Sequence, residues 1–394
     1  MKRALAVLAI VAAGVMLGAC NDKKSNIKPP HELADFAPVV DVQPIWHAKV
    51  GRGAGESGVR MHPAAADGRI FAASTDGELV ALDATTGRTI WRKQRQWRNN
   101  HDAIGYSGGP SVRDDMLAVA TRDGDVYLLD AASGDVRWQV AVSAAVISAP
   151  VFADDLLLVR SSDGRITAIN LADGSQAWLY DRGAVPALSL RGNSGMVVRP
   201  GVVFFGSDDG KLMAIRLDNG GPLWEQTVAT GEGRTEIQQL SDADGTPLVL
   251  DTTVYLGAYQ GDLMAVDGPT GRPLWNRPFS TYTALAGSGN TLVGVDDESN
   301  VWAFSDGTGG DLWKQDGLSW RWLGAPAVMG DFVVVGDMQG YVHWLDLSDG
   351  KFAARVRPSH DAVQARPLVL DDHTVVIEDI HGRLTAYRVG SPAP

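Results

Sequence analysis

Residues 77–91 read GELVALDATTGRTIW, and the same order returns down the chain: GDVYLLDAASGDVRW at 124–138, GRITAINLADGSQAW at 164–178, GKLMAIRLDNGGPLW at 210–224, GDLMAVDGPTGRPLW at 261–275 and SNVWAFSDGTGGDLW at 299–313. A seventh copy, GYVHWLDLSDGKFAA at 340–354, loses the terminal tryptophan, and an eighth, GRLTAYR from 382, stops after one strand. Within each copy apolar residues fall on both sides of an extended chain, as Leu79 and Ala81 do opposite Val80 and Leu82, which is the pattern of a strand buried on both faces. A polar pair and a glycine follow, as at Gly87, Gly134 and Gly174, where a tight hairpin takes a residue tolerant of positive φ. Asp83, Asp130, Asp267 and Asp346 are placed to accept backbone hydrogen bonds in those turns.

Copies begin 38 to 51 residues apart, room for four short strands each rather than a helical repeat. The expected fold is therefore all-β: an eight-bladed β-propeller with four-stranded antiparallel blades. Its eighth blade lacks a last strand, and residues 43–50, QPIWHAKV, resemble the missing end with Trp46 in the tryptophan position. The N-terminal strand is expected to complete the last blade, closing the ring without a long open sheet edge and leaving any N-terminal tether beside the closing blade.

Composition agrees. Glycine supplies 45 of 394 residues, which favours turn-rich β structure. The net charge of −12 repels phosphate backbones and argues against a nucleic-acid partner. The single cysteine, Cys20, excludes an internal disulfide or a cysteine metal cluster. It follows Met1-Lys2-Arg3, an apolar run over 4–17 and Leu17-Gly18-Ala19, an arrangement that resembles the bacterial lipoprotein signal. That resemblance implies cleavage before Cys20, lipidation of its side chain and, with Asn21 rather than aspartate next, sorting to the outer membrane. The organisation expected is a signal peptide over 1–19, a lipidated cysteine and flexible tether over 20–40, and the propeller over 41–394.

Several chemical motifs fail in context. Gly105-Tyr106-Ser107-Gly108-Gly109 fits the serine-hydrolase pattern, but Pro110 and a strand-like run follow where that chemistry needs a turn into a helix. Gly53, Gly55 and Gly58 have dinucleotide-fingerprint spacing without a surrounding βαβ unit. The eight histidines lack zinc-site spacing, and the acidic loop at Asp242-Ala243-Asp244-Gly245 has Thr253 where a calcium loop needs glutamate. No catalytic residue, metal or cofactor is expected.

The pattern A-x-D-x-x-T-G-x-x-x-W, clearest from Ala81 to Trp91, resembles the repeat of pyrroloquinoline quinone dehydrogenases, which are eight-bladed propellers. That family commonly holds its quinone beside a disulfide of adjacent cysteines, absent here, so a periplasmic quinoprotein dehydrogenase stands as the alternative reading. A resemblance covering nearly the whole mature chain is to the BamB family, outer-membrane lipoproteins of the β-barrel assembly machinery. It is carried by the lipoprotein signal, the eight repeats and two loops: Pro186-Ala187-Leu188-Ser189-Leu190-Arg191-Gly192, and 234–244, RTEIQQLSDAD. The resemblance implies a non-catalytic scaffold at the periplasmic face of the outer membrane. It also implies docking onto the POTRA domains of the barrel insertase BamA, alongside the other subunits, with contacts at Leu188, Leu190, Arg191, Asp242 and Asp244. Alternating leucines beside an arginine suit recognition, although leucines plugging blade edges and aspartates fixing turns would read the same way. Blade edges are also expected to be open to unfolded outer-membrane proteins by strand addition.

Overall fold

The structure is a computed structural model that describes residues 28–59, 61–95, 105–183, 195–230, 242–243 and 245–392. The propeller unit is His31–Pro394. Its described residues form eight four-stranded antiparallel sheets. Blade one comprises Ala64–Ala66, Arg69–Ala73, Glu78–Asp83 and Thr89–Gln94. Blades two to seven occupy 106–141, 151–180, 196–227, 248–278, 286–315 and 327–356, and blade eight combines 368–392 with Val40–Lys49. The expected closure is observed: Val40–Lys49 pairs antiparallel with Arg383–Pro392, and Trp46 sits opposite Ala386 just as Trp91 sits opposite Ala81.

The repeat translates directly into packing. In the third strand of blade one Leu79, Val80, Ala81 and Leu82 are all fully buried, whereas the outer strand exposes Thr89, Ile90, Arg92 and Gln94 and half-buries Trp91 and Lys93. The apolar faces of neighbouring blades merge, as Leu158 and Ile166 of blade three do with Val203, Phe205 and Ile215 of blade four. The recurring tryptophan is the peg of each joint. Trp46, Trp91, Trp138, Trp178, Trp224, Trp275 and Trp313 each donate Nε1–H, at 2.8 to 3.1 Å, to a carbonyl of the next blade: Ala84, Ala131, Leu171, Leu217, Gly268, Asp306 and Leu347. Each ring lies on that blade's hairpin glycine. At Gly271, where φ is +73°, a Cβ would stand 2.5 Å from the Trp224 ring, so positive φ and close approach both demand glycine.

Residues 31–39, grouped with the tether in the sequence reading, are held on the propeller. The His31 amide donates to the Ser319 carbonyl and that of Val39 to Ala353, 2.9 Å each. Arg321 donates to the His31 carbonyl, Arg355 to that of Ala34, and Phe36 stacks on Phe352. This strap therefore crosses blade seven and reaches Ser319, in the connection after blade six, rather than ending beside the closing blade. Beneath it Arg321 and Asp337 form a buried ion pair at 2.7 Å, with His343 3.3 Å from the same carboxylate. Burial opposes the charge on Asp337, but the hydrogen bond and charge of His343 and the charge of Arg321 hold its carboxyl below the usual range.

Candidate docking site

The two distinctive loops flank blade four. The first joins Gln176–Tyr180 of blade three to Met196–Arg199, and the second joins Pro222–Thr227 to Leu248–Leu250 of blade five. Leu188, Leu190, Arg191 and Asp244 lie outside the described residues, as does Cys20. The roots of both loops are described, and they converge.

At the first root, Asp181 accepts from the Gly183 amide at 2.9 Å and from Arg165 Nε at 2.8 Å; those two bonds hold its carboxyl below the usual range. Arg182 donates to Asp209 at 2.6 Å and to the Ser207 hydroxyl at 3.2 Å. Burial opposes the charge on Asp209, yet the bonds from Ser207 and Arg182 keep its carboxyl below the usual range. Behind them Arg160, 6% exposed, donates to the Gly206 carbonyl at 2.8 Å and to Asp208 at 3.0 Å, with its guanidinium 5.6 Å from the Phe205 ring centre. Arg160, Tyr180, Arg182, Phe205, Ser207 and Asp209 line a cavity of about 40 Å³.

The second root reaches the same turn. The Ala243 amide donates to the Ser207 carbonyl at 3.3 Å, and Gly206 is glycine because a Cβ there would lie 2.0 Å from the Ala243 carbonyl oxygen. Asp242 is 1% exposed, and its carbonyl accepts from the Tyr259 amide of blade five at 2.9 Å. The ends of the loops are joined directly, since the Gly195 amide donates to Thr246 Oγ1 at 3.1 Å. The turn over 207–210 is thus a common pier for both loops. Sequence reading missed Arg160, Arg182, Ser207, Asp209 and Thr246. The recurring Ser-x-Asp-Gly turn, as in Ser161–Gly164 and Ser207–Gly210, was a visible signal for two of them. The cross-blade partners of the arginines carry no local signal.

The serine-hydrolase match is accounted for by its surroundings. Ser107 is buried in the strand Tyr106–Arg113, and its hydroxyl donates to the Val146 carbonyl at 2.5 Å. It occupies an extended strand, not the sharp turn that would present a nucleophile.

Repeat, closure and paired loops define the class: a quinoprotein-type propeller elaborated around blade four. A family model described as outer membrane protein assembly factor BamB matches residues 40–96, 93–315 and 299–390. A protein of that name from Xanthomonas campestris pv. campestris is 40% identical over 402 residues, spanning 99% of this chain and 98% of its own. The crystal structure of BamB from Moraxella catarrhalis aligns with a TM-score of 0.78 at 25% identity, over 88% of this chain and 100% of that one. A europium-containing methanol dehydrogenase aligns with a TM-score of 0.71 at 12% identity, over 88% of this chain and 93% of its own, a likeness of fold alone. The chain belongs to the outer membrane protein assembly factor BamB family.

Proposed function

We propose that this protein is a non-catalytic scaffold of the β-barrel assembly machinery, assisting the folding and insertion of outer-membrane proteins. It is lipid-anchored through Cys20 at the periplasmic face of the outer membrane, and its two loops dock the POTRA domains of BamA. Leu188, Leu190, Arg191 and Asp244 are the contact residues; buried Asp242 sets the second loop's root. The observation that supports this reading is the convergence of both loops on the turn over 207–210, with their ends joined at Gly195 and Thr246. Two segments 51 residues apart at that joint are thereby presented from one rigid blade, which lowers the ordering cost of binding.

The test is recovery of BamA from solubilised envelopes by the wild type and by a Leu188→Ser, Leu190→Ser, Arg191→Glu variant of unchanged circular dichroism. Removing two apolar anchors and reversing the charge of a third contact is expected to reduce recovery by about ten-fold or more. Equal recovery from the folded variant would remove these residues from the interface. Reconstitution with pyrroloquinoline quinone and calcium, followed by dye-coupled oxidation of alcohols and sugars, addresses the dehydrogenase alternative; turnover would overturn the scaffold reading.

A further inference from the structure

The outer strands share one register position, the residue just before each joint tryptophan and before Ala354, which takes that place in blade seven. This residue is exposed in seven blades and buried only in blade seven, where Ala353 is 1% exposed. The strap is the cause: the Val39 amide donates to the Ala353 carbonyl at 2.9 Å, and Val40 shares its buried cluster. The strap runs opposite to Phe352–Val356, since Ala34 meets Arg355 and Val39 meets Ala353. They form no ladder. Among the described residues one main-chain hydrogen bond joins them, while Arg355 donates to the Ala34 carbonyl at 3.0 Å and Phe36 stacks on Phe352 at 5.4 Å. Blade seven therefore shows how this kind of edge seats an extended chain: a main-chain bond at the position before the tryptophan, a cation two residues on that takes a carbonyl, and an apolar side chain laid on the strand.

Blade six repeats that arrangement on its own outer strand, Asp311–Gln315. Leu312 stands where Ala353 does and is 53% exposed, and Lys314 stands opposite Trp302 as Arg355 stands opposite His343. The exposed Lys314 ammonium lies 4.7 Å from the Trp302 ring centre and, among the described residues, has no hydrogen bond or ion pair. The other blades each lack a part. Arg137 and Ala177 hold the position in blades two and three. In blades four, five and eight Pro222, Pro273 and Pro44 precede the exposed Leu223, Leu274 and Ile45, and proline removes a main-chain donor from an edge strand. In blade one Ile90 is exposed, but Arg92 is already committed to Glu78 and to the Lys49 carbonyl.

We propose that the outer edge of blade six is a second seat for an extended polypeptide, filled from outside the chain, with Leu312 as its apolar contact and Lys314 as the cation that takes a main-chain carbonyl. The occupant is a strand-length segment of an unfolded outer-membrane β-barrel protein. The strap spans nine residues, 31–39, and a transmembrane β-strand has about 9–11, apolar at alternate positions. Before it pairs within a barrel such a segment offers both things the seat takes, unpaired carbonyls and apolar side chains, whereas a folded domain has already paired its main chain. The strap is held from within the chain at high effective concentration, so the same few contacts hold a separate segment weakly and let it go, which suits a passing substrate. This seat rests on the proposed role in outer-membrane protein folding, but not on the docking loops, which flank blade four.

Photocrosslinking of the full chain, with p-benzoylphenylalanine in place of Leu312 or, as a control, of the exposed Ala177 in blade three, tests the seat against a radiolabelled outer-membrane β-barrel protein diluted from urea. A crosslink to that protein is expected from position 312 and not from position 177, reduced about five-fold or more by Lys314→Glu in a protein of unchanged circular dichroism. Recovery of BamA by Lys314→Glu is expected to equal that by the wild type. Loss of the crosslink with BamA still recovered therefore sinks the seat alone, and a crosslink without recovery of BamA sinks the docking reading alone. No crosslink from position 312, an equal one from 177, an unchanged one in Lys314→Glu, or capture of a second copy of this chain instead of the substrate would each overturn the proposal.

Discussion

The joint between blades six and seven and the joint between blades seven and eight solve the same packing problem with opposite placements of one tryptophan. At the first, Trp313 lies on the outer strand opposite Ala303, covers Gly350 of the next hairpin and donates to the Leu347 carbonyl at 2.8 Å. At the second the pair is exchanged: Ala354 holds the outer position and Trp344 the inner one. Trp344 is 0% exposed, packs edge-on to Tyr387 at 5.9 Å, and its Nε1 has no hydrogen-bond partner among the described residues. The cause lies in the neighbour. Blade eight joins its last two strands by no hairpin, since they are the two ends of the propeller, and the strap's Val39 bonds the Ala353 carbonyl instead. The repeated tryptophan therefore belongs to the hairpin it covers, and where that hairpin is missing its volume moves one strand inward.

The largest test of this contrast removes the chain end that replaces the hairpin. A protein lacking residues 31–49 loses the closing strand, the Trp46 joint and the strap together, and is expected to melt more than about 10 °C lower or without cooperativity. Calorimetric melting within a few degrees of the wild type would show that closure contributes little. The next test concerns the other side of blade eight, where the buried Glu378 lines a small cavity with Ala54, Val59 and Met61, and burial, aided by the charge of Asp379, raises its pKa to about 8. The unfolded chain ionises this group above 4.5 while the folded chain keeps its proton to about 8, so folding binds more protons in that window and stability falls as pH rises through it. Glu378→Gln is expected to remove that slope, stabilising by about 3 kcal/mol at pH 7 and by little at pH 4. Urea titrations at both pH values giving parallel losses in variant and wild type would sink this. The smallest effect compares two phenylalanines: Trp313→Phe strands the Leu347 carbonyl and costs about 1–2 kcal/mol more than Trp344→Phe, which deletes a donor that had no acceptor. Equal costs in denaturant titrations would mean that the joint hydrogen bond adds nothing.

Much of this architecture was legible in the chain, because a propeller repeats one local problem eight times and each solution leaves the same residues. The blade number, the closing role of Val40–Lys49 and the place of Trp46 all follow from aligning copies. The exchange at Trp344 was legible only as a missing tryptophan at Ala354, since its reason sits in another blade. The strap was hidden for a different reason: Arg321 and Arg355 reach the His31 and Ala34 carbonyls across 290 and 321 residues, and carbonyls carry no residue-type signature. Of the candidate site, the two loops were marked by the family resemblance, whereas the turn over 207–210 as their common pier depended on side-chain bonds between strands of unremarkable sequence.

The strap has a mechanical consequence for a propeller held through its N-terminal end, as the proposed anchor at Cys20 would hold it. If Cys20 carries the anchor proposed above, a pull arriving at His31 meets Ser319, Arg321 and Arg355 before it reaches Val40–Lys49. Such a load would be shared by blade seven and its connection, and the closing strand would be spared a pull on its free end that would peel its ladder one bond at a time.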